Sequence, residues 1–115
     1  MADAANNSFL SLNPLERAKL FQKHLKEDKL SQTQIAQKYG KSLPFVSNTL
    51  RLLQLPELVK EGLMSKTISE GHARAILMLS SSTEMVSVYR KILVKSISVH
   101  ATEEFVRFTL RRLRR

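Results

Sequence analysis

Two short helical patterns between Ser31 and Pro56 are separated by a single glycine, and this arrangement limits the fold more than any other feature of the chain. The stretch reads SQTQIAQKYGKSLPFVSNTLRLLQLP. Gly40 follows the first pattern directly, where a chain can reverse sharply through a left-handed backbone conformation. Ser42 suits a helix N-cap, and Pro44 fits only the first turn of the helix that follows. The sequence therefore predicts two helices that cross at a tight turn.

Helical spacing continues along the rest of the chain. There are only three glycines and three prolines, and no segment alternates convincingly at period two. We predict an all-α fold, a compact multi-helix domain of about seven helices that contains a helix-turn-helix. One domain over residues 12–107 suits the length, with a flexible lead-in over 1–11 and a basic helix end or linker over 108–115. Capping residues mark the predicted helix starts at Asn13, Ser31, Ser42, Ser69 and Thr102.

Apolar residues at helical spacing identify the sides of these helices that face the core. Either Phe21 or Gln22 continues the inner face of the first helix. Ala36 is expected where the two crossing helices touch, and Val46 is expected to lock one onto the other. The sixth helix has an inward set that consists of Met85, Val88 or Tyr89, Ile92 and Leu93.

The second crossing helix then has an outward face that suits the major groove of DNA. Asn48 could make paired hydrogen bonds to adenine, and Arg51 could reach a guanine edge or a phosphate. Small side chains at Ser42 and Ser47 would allow close approach, and Leu43 could contact a thymine methyl group. The alternative is that these are solvated positions without a ligand. The predicted recognition residues are Ser42, Leu43, Pro44, Ser47, Asn48 and Arg51.

Charge supports a nucleic-acid partner. Lys and Arg total 19 against 10 Asp and Glu, a formal net charge of +9, which attracts phosphate backbones or anionic lipid. We expect Gln32, Thr33 and Lys41 to hold phosphates beside the recognition helix. A fragment separated from an acidic neighbour would also be basic. An amphipathic, basic FVRFTLRRLRR segment leaves open a helix that binds a membrane surface or a partner.

Other classes of protein lack support in the sequence. No cysteine is present, so neither a disulfide nor a thiolate metal site is possible. No apolar run is long enough to cross a bilayer, and the start MADAANNS does not look like a signal peptide. A nucleotide hydrolase or nuclease would need a glycine-rich phosphate loop or clustered carboxylates. Acidic and His candidates are scattered, so we expect no enzyme activity, no catalytic residue and no metal site.

Four blocks of the sequence resemble one known family. LNPLERA, LSQTQIAQKYGKSLPFVSNTLRLLQLP, ISEGHARAIL and SVHATEEFVR resemble, in this order, the central DNA-binding domain of ParB-type partition proteins. The resemblance runs from about Leu12 to Arg107. It implies binding to double-stranded, centromere-like palindromic DNA (a parS-type site) by a homodimer on an inverted repeat. It also implies a ParA-type ATPase as partner of the full-length protein, and a cytoplasmic location on a nucleoid or plasmid, with no membrane.

The resemblance also implies supporting DNA contacts from the segment with the sequence GHAR. Ser69 would cap that helix and direct its N-terminus toward a phosphate, and Gly71 would let the backbone approach DNA closely. His72 is alternatively a hydrogen-bonded packing residue, and Arg74 could instead pair with a carboxylate of the same domain. The implied supporting residues are Ser69, Gly71, His72 and Arg74.

Departures from the family pattern limit what carries over. The family's N-terminal CTP-binding domain, with its arginine-rich motif, has no counterpart in these residues, so we expect no cofactor here and CTP only in a full-length relative. Leu43 stands where relatives commonly have a polar or basic residue, which leaves the base preference open. A ParB-like transcriptional or nucleoid-occlusion regulator would carry the same motifs, so this alternative function also stays open.

Overall fold

The chain folds into helices throughout the part that can be described. The computed structural model describes Phe9 and residues 11–113, without the side chain of Leu113. No strand occurs in this part, which confirms the all-α prediction. Most of the predicted lead-in over residues 1–11 lies outside the described residues. The helices are α1 (Pro14–Lys26), α2 (Gln32–Tyr39), α3 (Leu43–Arg51), α4 (Glu57–Met64), α5 (Glu70–Ile76), α6 (Ser82–Lys95) and α7 (Val99–Leu113), with a 3-10 turn at Leu52–Gln54.

The chain divides into two compact units, and the single domain expected over residues 12–107 stays a prediction. The N-terminal unit ends at Leu53 and the C-terminal unit begins at Gln54, within the 3-10 turn. In the N-terminal unit, α1, α2 and α3 all pack on one another. In the C-terminal unit, α5 packs chiefly against α7, and α4 packs against both α5 and α6.

Helix starts in the N-terminal unit follow the capping chemistry of the sequence. Asn13 Oδ1 accepts the Glu16 N–H at 2.8 Å, and the Glu16 carboxylate accepts the Asn13 N–H at 2.9 Å. Ser31 and Gln34 form the same reciprocal box at α2, with N–H to oxygen distances of 2.8 and 3.1 Å. Each box satisfies two N–H groups that have no partner inside the helix. Both predicted caps are confirmed.

Gly40 makes the turn between α2 and α3. Its backbone is left-handed, with φ 65° and ψ 34°. The next residue, Lys41, donates its N–H to the Ala36 carbonyl at 2.9 Å, which closes the end of α2. Ala36 and Val46 are both buried, as expected for the contact between the two helices. The helix-turn-helix predicted from the sequence is therefore present.

Aromatic rings fill the core of the N-terminal unit. Of the two alternatives on α1, Phe21 and not Gln22 is buried. Phe9 stacks on Phe21 and Tyr39 at centroid distances of 5.7 and 4.9 Å. Phe9 is 3% exposed, so the flexible lead-in predicted over residues 1–11 is wrong at this position. The segment around Phe9, NNSFLS, is too short to show a helical periodicity, so the sequence pattern could not place Phe9 in the core. The core residues are Phe9, Phe21, Ile35, Ala36, Tyr39 and Val46.

A buried hydrogen-bond chain, absent from the sequence prediction, ties α1 to α2. His24 Nδ1 lies 2.7 Å from Asp28 Oδ2, and His24 Nε2 lies 2.7 Å from the Tyr39 hydroxyl. The carboxylate can only accept, so Nδ1 donates to it, and in the neutral imidazole Nε2 then accepts from the Tyr39 O–H. Burial raises the pKa of Tyr39, and the negative charge of Asp28 raises it further. The phenol therefore stays protonated and keeps donating.

The C-terminal unit has a core built from α4, α5, α6 and α7. Ile76 and Val106 are fully buried, on α5 and α7. The prediction for α6 left open whether Val88 or Tyr89 faces inward, and the structure shows that both are buried. Leu93 is 42% exposed, so its predicted inward position is wrong. Leu93 lies close to the C-terminal end of α6, where other helices no longer cover the side chains.

Helix α7 begins at Val99, four residues earlier than a cap at Thr102 allows. Ser98 lies just before the helix, and its Oγ accepts the Ala101 N–H at 3.0 Å. Thr102 is fully buried, and its hydroxyl donates to the Ser98 carbonyl at 2.8 Å. The predicted Thr102 cap is therefore wrong. Ser98 and Thr102 both carry a hydroxyl group that can cap a helix, so the sequence does not distinguish them. Thr102 is buried, and this leaves Ser98 as the cap.

The conformation of Gly40 predicts the effect of a side chain there. A Cβ at this position would meet no atom within 4 Å, so the cost of Gly40→Ala is purely the left-handed backbone. We expect a loss of about 1 kcal/mol in the free energy of unfolding. Asn tolerates this conformation better, so Gly40→Asn should lose clearly less. Urea denaturation measures both variants, and an alanine variant as stable as the glycine protein would contradict the assignment.

The raised pKa of Tyr39 predicts a dependence of stability on high pH. The folded state holds the phenolic proton more tightly than the unfolded state, whose pKa is near 10.0. The stabilising contribution is complete below about pH 10 and is lost as the pH rises through the raised pKa. Tyr39→Phe should lose about 1 kcal/mol at pH 8 and show a shallower decline in stability above pH 10. Urea denaturation between pH 8 and 11 makes the comparison; parallel profiles would refute it.

Candidate nucleic-acid interface

The outward face of α3 is presented to solvent as the sequence predicts. Ser42, Leu43 and Pro44 are exposed at its start, and the Leu43 side chain is 46% exposed. Farther along, Asn48 is half-buried and Arg51 is exposed. The inner face is held by fully buried Val46 and by Thr49. DNA contact by this face stays a prediction.

Thr49 shows how a polar residue is accommodated on the inner face of α3. Its hydroxyl donates to the Phe45 carbonyl one turn earlier, at 2.8 Å, so its burial leaves no unpaired donor. Lys41, also unusual for its position, extends along aromatic rings, with its Nζ 5.3 Å from the centroid of Phe45 and 5.9 Å from that of Phe9. The charged end stays exposed beside the turn. Lys41 therefore presents its positive charge to solvent next to the start of α3.

The first residues of α2 and α3 differ in how their polar groups are used. Ser42 Oγ accepts the Phe45 N–H at 3.1 Å and so caps α3. Thr33 is exposed in the first turn of α2. Gln32 and Ser47 are bonded to each other, with Oε1 and Oγ 2.7 Å apart. The structure thus brings together two predicted DNA-binding residues that lie on different helices.

In the C-terminal unit, His72 is committed to the fold. Its Nε2 lies 3.0 Å from the Ile97 carbonyl, which can only accept, so Nε2 donates. Nδ1 then accepts the Ser69 N–H at 3.1 Å, while Ser69 Oγ accepts the His72 N–H at 3.3 Å. Ser69 is confirmed as the cap of α5, and both ring nitrogens of His72 have intramolecular partners. These bonds favour the packing alternative for His72 over direct contact with DNA.

Gly71 also has a packing role. A Cβ at this position would lie 3.0 Å from both methyl groups of Val99, the first residue of α7. Glycine therefore allows the close approach of α5 to α7. This constraint is internal, whereas the resemblance had suggested that glycine was needed for the approach of DNA.

Arg74 is the supporting residue that remains presented outward. It is exposed on α5, beside a groove of about 160 Å³. Glu103 also lines this groove but is paired with Arg107, with the charged atoms 3.5 Å apart. No ion pair of Arg74 occurs among the described residues, so the alternative of a carboxylate partner within the C-terminal unit lacks support.

The remaining chemistry of the described residues suggests neither a metal site nor a membrane span. No three His, Asp or Glu side chains converge as metal ligands in the described part of the chain. Nor is any helix there both long enough and apolar enough to cross a bilayer. The amphipathic helix α7 packs on α5 through fully buried Val106, and Lys91 Nζ lies 3.9 Å from the ring centroid of Phe105. A packing role thus accounts for Val106 and Phe105, while Phe108 on the same helix is 49% exposed.

Solved structures of similar fold belong to a class of helix-turn-helix DNA-binding proteins. A C-terminally truncated ParB from Caulobacter crescentus, complexed to the centromeric parS site, matches 92% of this chain with a TM-score of 0.82 and 34% identity. A ParB DNA-binding domain complexed to parS matches 84% with a TM-score of 0.79 and 37% identity. The chain spans 52% and 78% of these two proteins.

The sequence comparison gives the family itself. The ParB HTH domain matches residues 10–111, so the chain belongs to the ParB helix-turn-helix family. The match confirms the resemblance and extends slightly beyond the predicted boundaries at 12 and 107. It assigns the chain to a DNA-binding domain family and not to a family of enzymes.

Relatives in this family are much longer than the chain. A probable chromosome-partitioning protein ParB of Treponema pallidum is 43% identical over 84% of this chain, and a nucleoid occlusion protein of a Geobacillus strain is 38% identical over 83%. The chain spans only 30% and 34% of these proteins. A Caulobacter ParB complexed with CTP-γ-S also matches, with a TM-score of 0.59 over 72% of this chain and 44% of that protein.

A double-mutant cycle tests the packing role of Gly71. Ala is a better helix former than Gly, but its Cβ would press on Val99, so the sign of Gly71→Ala alone depends on both effects. Removing the Val99 methyl groups eliminates the clash. We expect Gly71→Ala to be about 1 kcal/mol more favourable in a Val99→Ala background than in the wild type. Thermal or urea unfolding of the four proteins gives the coupling, and additive effects would exclude the proposed contact.

Proposed function

We propose that this chain is the sequence-specific DNA-binding part of a ParB-like protein and recognises a centromere-like, parS-type palindromic site in partition. One observation carries the proposal: a ParB DNA-binding domain complexed to parS matches 84% of this chain at 37% identity. The exposed face of α3, set by the Gly40 turn, supplies a surface of the right kind. The activity is binding, without a catalytic step.

Affinity and specificity would come from different residues. A net charge of +9 provides attraction to phosphates that weakens steeply as salt rises. Lys41, Thr33 and Arg74 are exposed and suit backbone contacts that set the position of the protein on the duplex. Discrimination would come from Asn48 and Arg51 at base edges in the major groove. The Leu43 side chain would lie against a thymine methyl group.

The wider setting of the protein is part of the same proposal. A palindromic site matches two copies of the chain related by a twofold axis, and their linkage would raise the affinity for the whole site. We propose that the full-length protein acts with a ParA-type ATPase in the cytoplasm, on a nucleoid or plasmid. The contacts described above need no nucleotide, so we assign CTP, if it is used, to regions outside this domain.

Regulation is the second candidate function. Several similar proteins are nucleoid occlusion proteins, at 38–41% identity over 81–83% of this chain. They would use the same domain on differently distributed sites. Genome-wide mapping of bound sites separates the two functions, because partition predicts a cluster beside partition genes and regulation predicts dispersed or promoter sites.

Selection of bound duplexes from a random pool, followed by one substitution, tests the proposal. We expect an inverted repeat to be selected. Asn48→Ala should lower the preference for this site about tenfold and leave binding to a scrambled duplex nearly unchanged, because a base contact is lost and phosphate contacts remain. Fluorescence anisotropy at several salt concentrations measures both affinities.

The matched control is Ser87→Ala, an exposed polar residue on α6 of the C-terminal unit. It should bind both duplexes as the wild type does. Equal losses on the selected and scrambled duplexes in Asn48→Ala would show that Asn48 reads no base. Selection of no common sequence would reject the proposed function itself.

A further inference from the structure

A hydrogen bond between two helices distinguishes Ser47 from the other polar residues of α3. Its Oγ lies 2.7 Å from Oε1 of Gln32, which is the first residue of α2 and fifteen positions away in the chain. Both side chains are half-buried. The bond therefore couples the recognition helix directly to the first turn of the helix before it.

The orientation of the Gln32 amide, with Oε1 toward Ser47, fixes the direction of this bond. Oε1 can only accept, so the Ser47 hydroxyl donates its single hydrogen to it. The amide nitrogen keeps both of its hydrogens, and it makes no hydrogen bond to any residue that the structure describes. Gln32 is only half-buried, so its amide N–H groups can donate to an acceptor from outside the protein.

Neighbouring polar groups in the same turn are used differently. In the capping box of α2, Gln34 Oε1 accepts the Ser31 N–H and Ser31 Oγ accepts the Gln34 N–H, so the Gln34 side chain is held by its own helix. Gln32 is held by a residue of α3 instead. Of these two amide side chains, only that of Gln32 therefore depends on the recognition helix for its position.

We propose that Ser47 is a positioning residue, whose hydroxyl holds Gln32 so that the Gln32 amide donates to a DNA phosphate at the first turn of α2. The inference rests on the proposed function and refines it. A long side chain that is already held loses less conformational freedom when DNA binds, which raises affinity. Ser47 has given its only hydrogen to Gln32, and on this proposal it reads no base.

A binding cycle with Gln32→Ala, Ser47→Ala and the double variant tests the proposal. Affinities are measured on the selected duplex and on a scrambled duplex of equal length. We expect Gln32→Ala to weaken binding about tenfold and Ser47→Ala about three- to fivefold, by similar factors on both duplexes, since a phosphate contact is independent of sequence. The double variant should bind no more weakly than Gln32→Ala alone, because Ser47 acts through Gln32.

Two conservative variants separate positioning from a purely structural role. Ser47→Thr keeps the hydroxyl and should bind within about twofold of the wild type. Gln32→Glu keeps an acceptor for Ser47 but has no amide donor and adds a negative charge, so it should bind more weakly than Gln32→Ala while its thermal unfolding stays close to that of the wild type. Ser87→Ala again serves as the serine control.

The outcomes distinguish this proposal from the proposed function. Losses that multiply in the double variant, or a Gln32→Glu variant that binds as tightly as the wild type, would overturn it. A change in base preference in Ser47→Ala would make Ser47 a base reader and would also overturn it. A wild type that does not prefer its selected duplex would reject the proposed function, and the cycle on the scrambled duplex would still decide the role of Ser47.

Discussion

The left-handed backbone of Gly40 is the constraint on which the rest of the interface depends. Because Gly40 lets the chain turn sharply, α3 starts at Leu43, soon after α2 ends at Tyr39. The two helices cross with Ala36 and Val46 buried. That crossing fixes which side of α3 remains in solvent. It also brings Ser47 within hydrogen-bond distance of Gln32. The solvent-facing side of α3 and its hydrogen bond to α2 thus both follow from one backbone conformation.

Features encoded by near neighbours were predictable from the sequence. The caps at Ser31 and Ser42 and the turn at Gly40 depend on residues within about three to five positions, and the structure confirms them. Thr102 shows the limit, since Ser98 offers the same chemistry and only burial selects between them. Local sequence pattern therefore cannot choose between two possible caps when tertiary packing determines which one is used.

Contacts between residues distant in the chain could not be read from periodicity. The bonds of His24 to Tyr39 and of Ser47 to Gln32 each span fifteen positions, and His72 reaches Ile97 across twenty-five. For the candidate site, contacts of this kind change the interpretation of three residues. Sequence reasoning predicted an outward face of α3, but it left Ser47 and His72 open between contact with DNA and an alternative role, and it expected Gly71 to allow the approach of DNA. The structure shows that each also has a partner inside the protein.

Leu43 has a consequence that concerns the thermodynamics of binding. Its apolar side chain is 46% exposed to solvent at the leading end of α3. On the proposed function, docking against a duplex removes this surface from water. That contribution is entropic near room temperature and lowers the heat capacity of the complex, and counterions do not affect it. A strongly basic protein would thereby retain a small part of its affinity under ionic conditions that suppress its charge interactions.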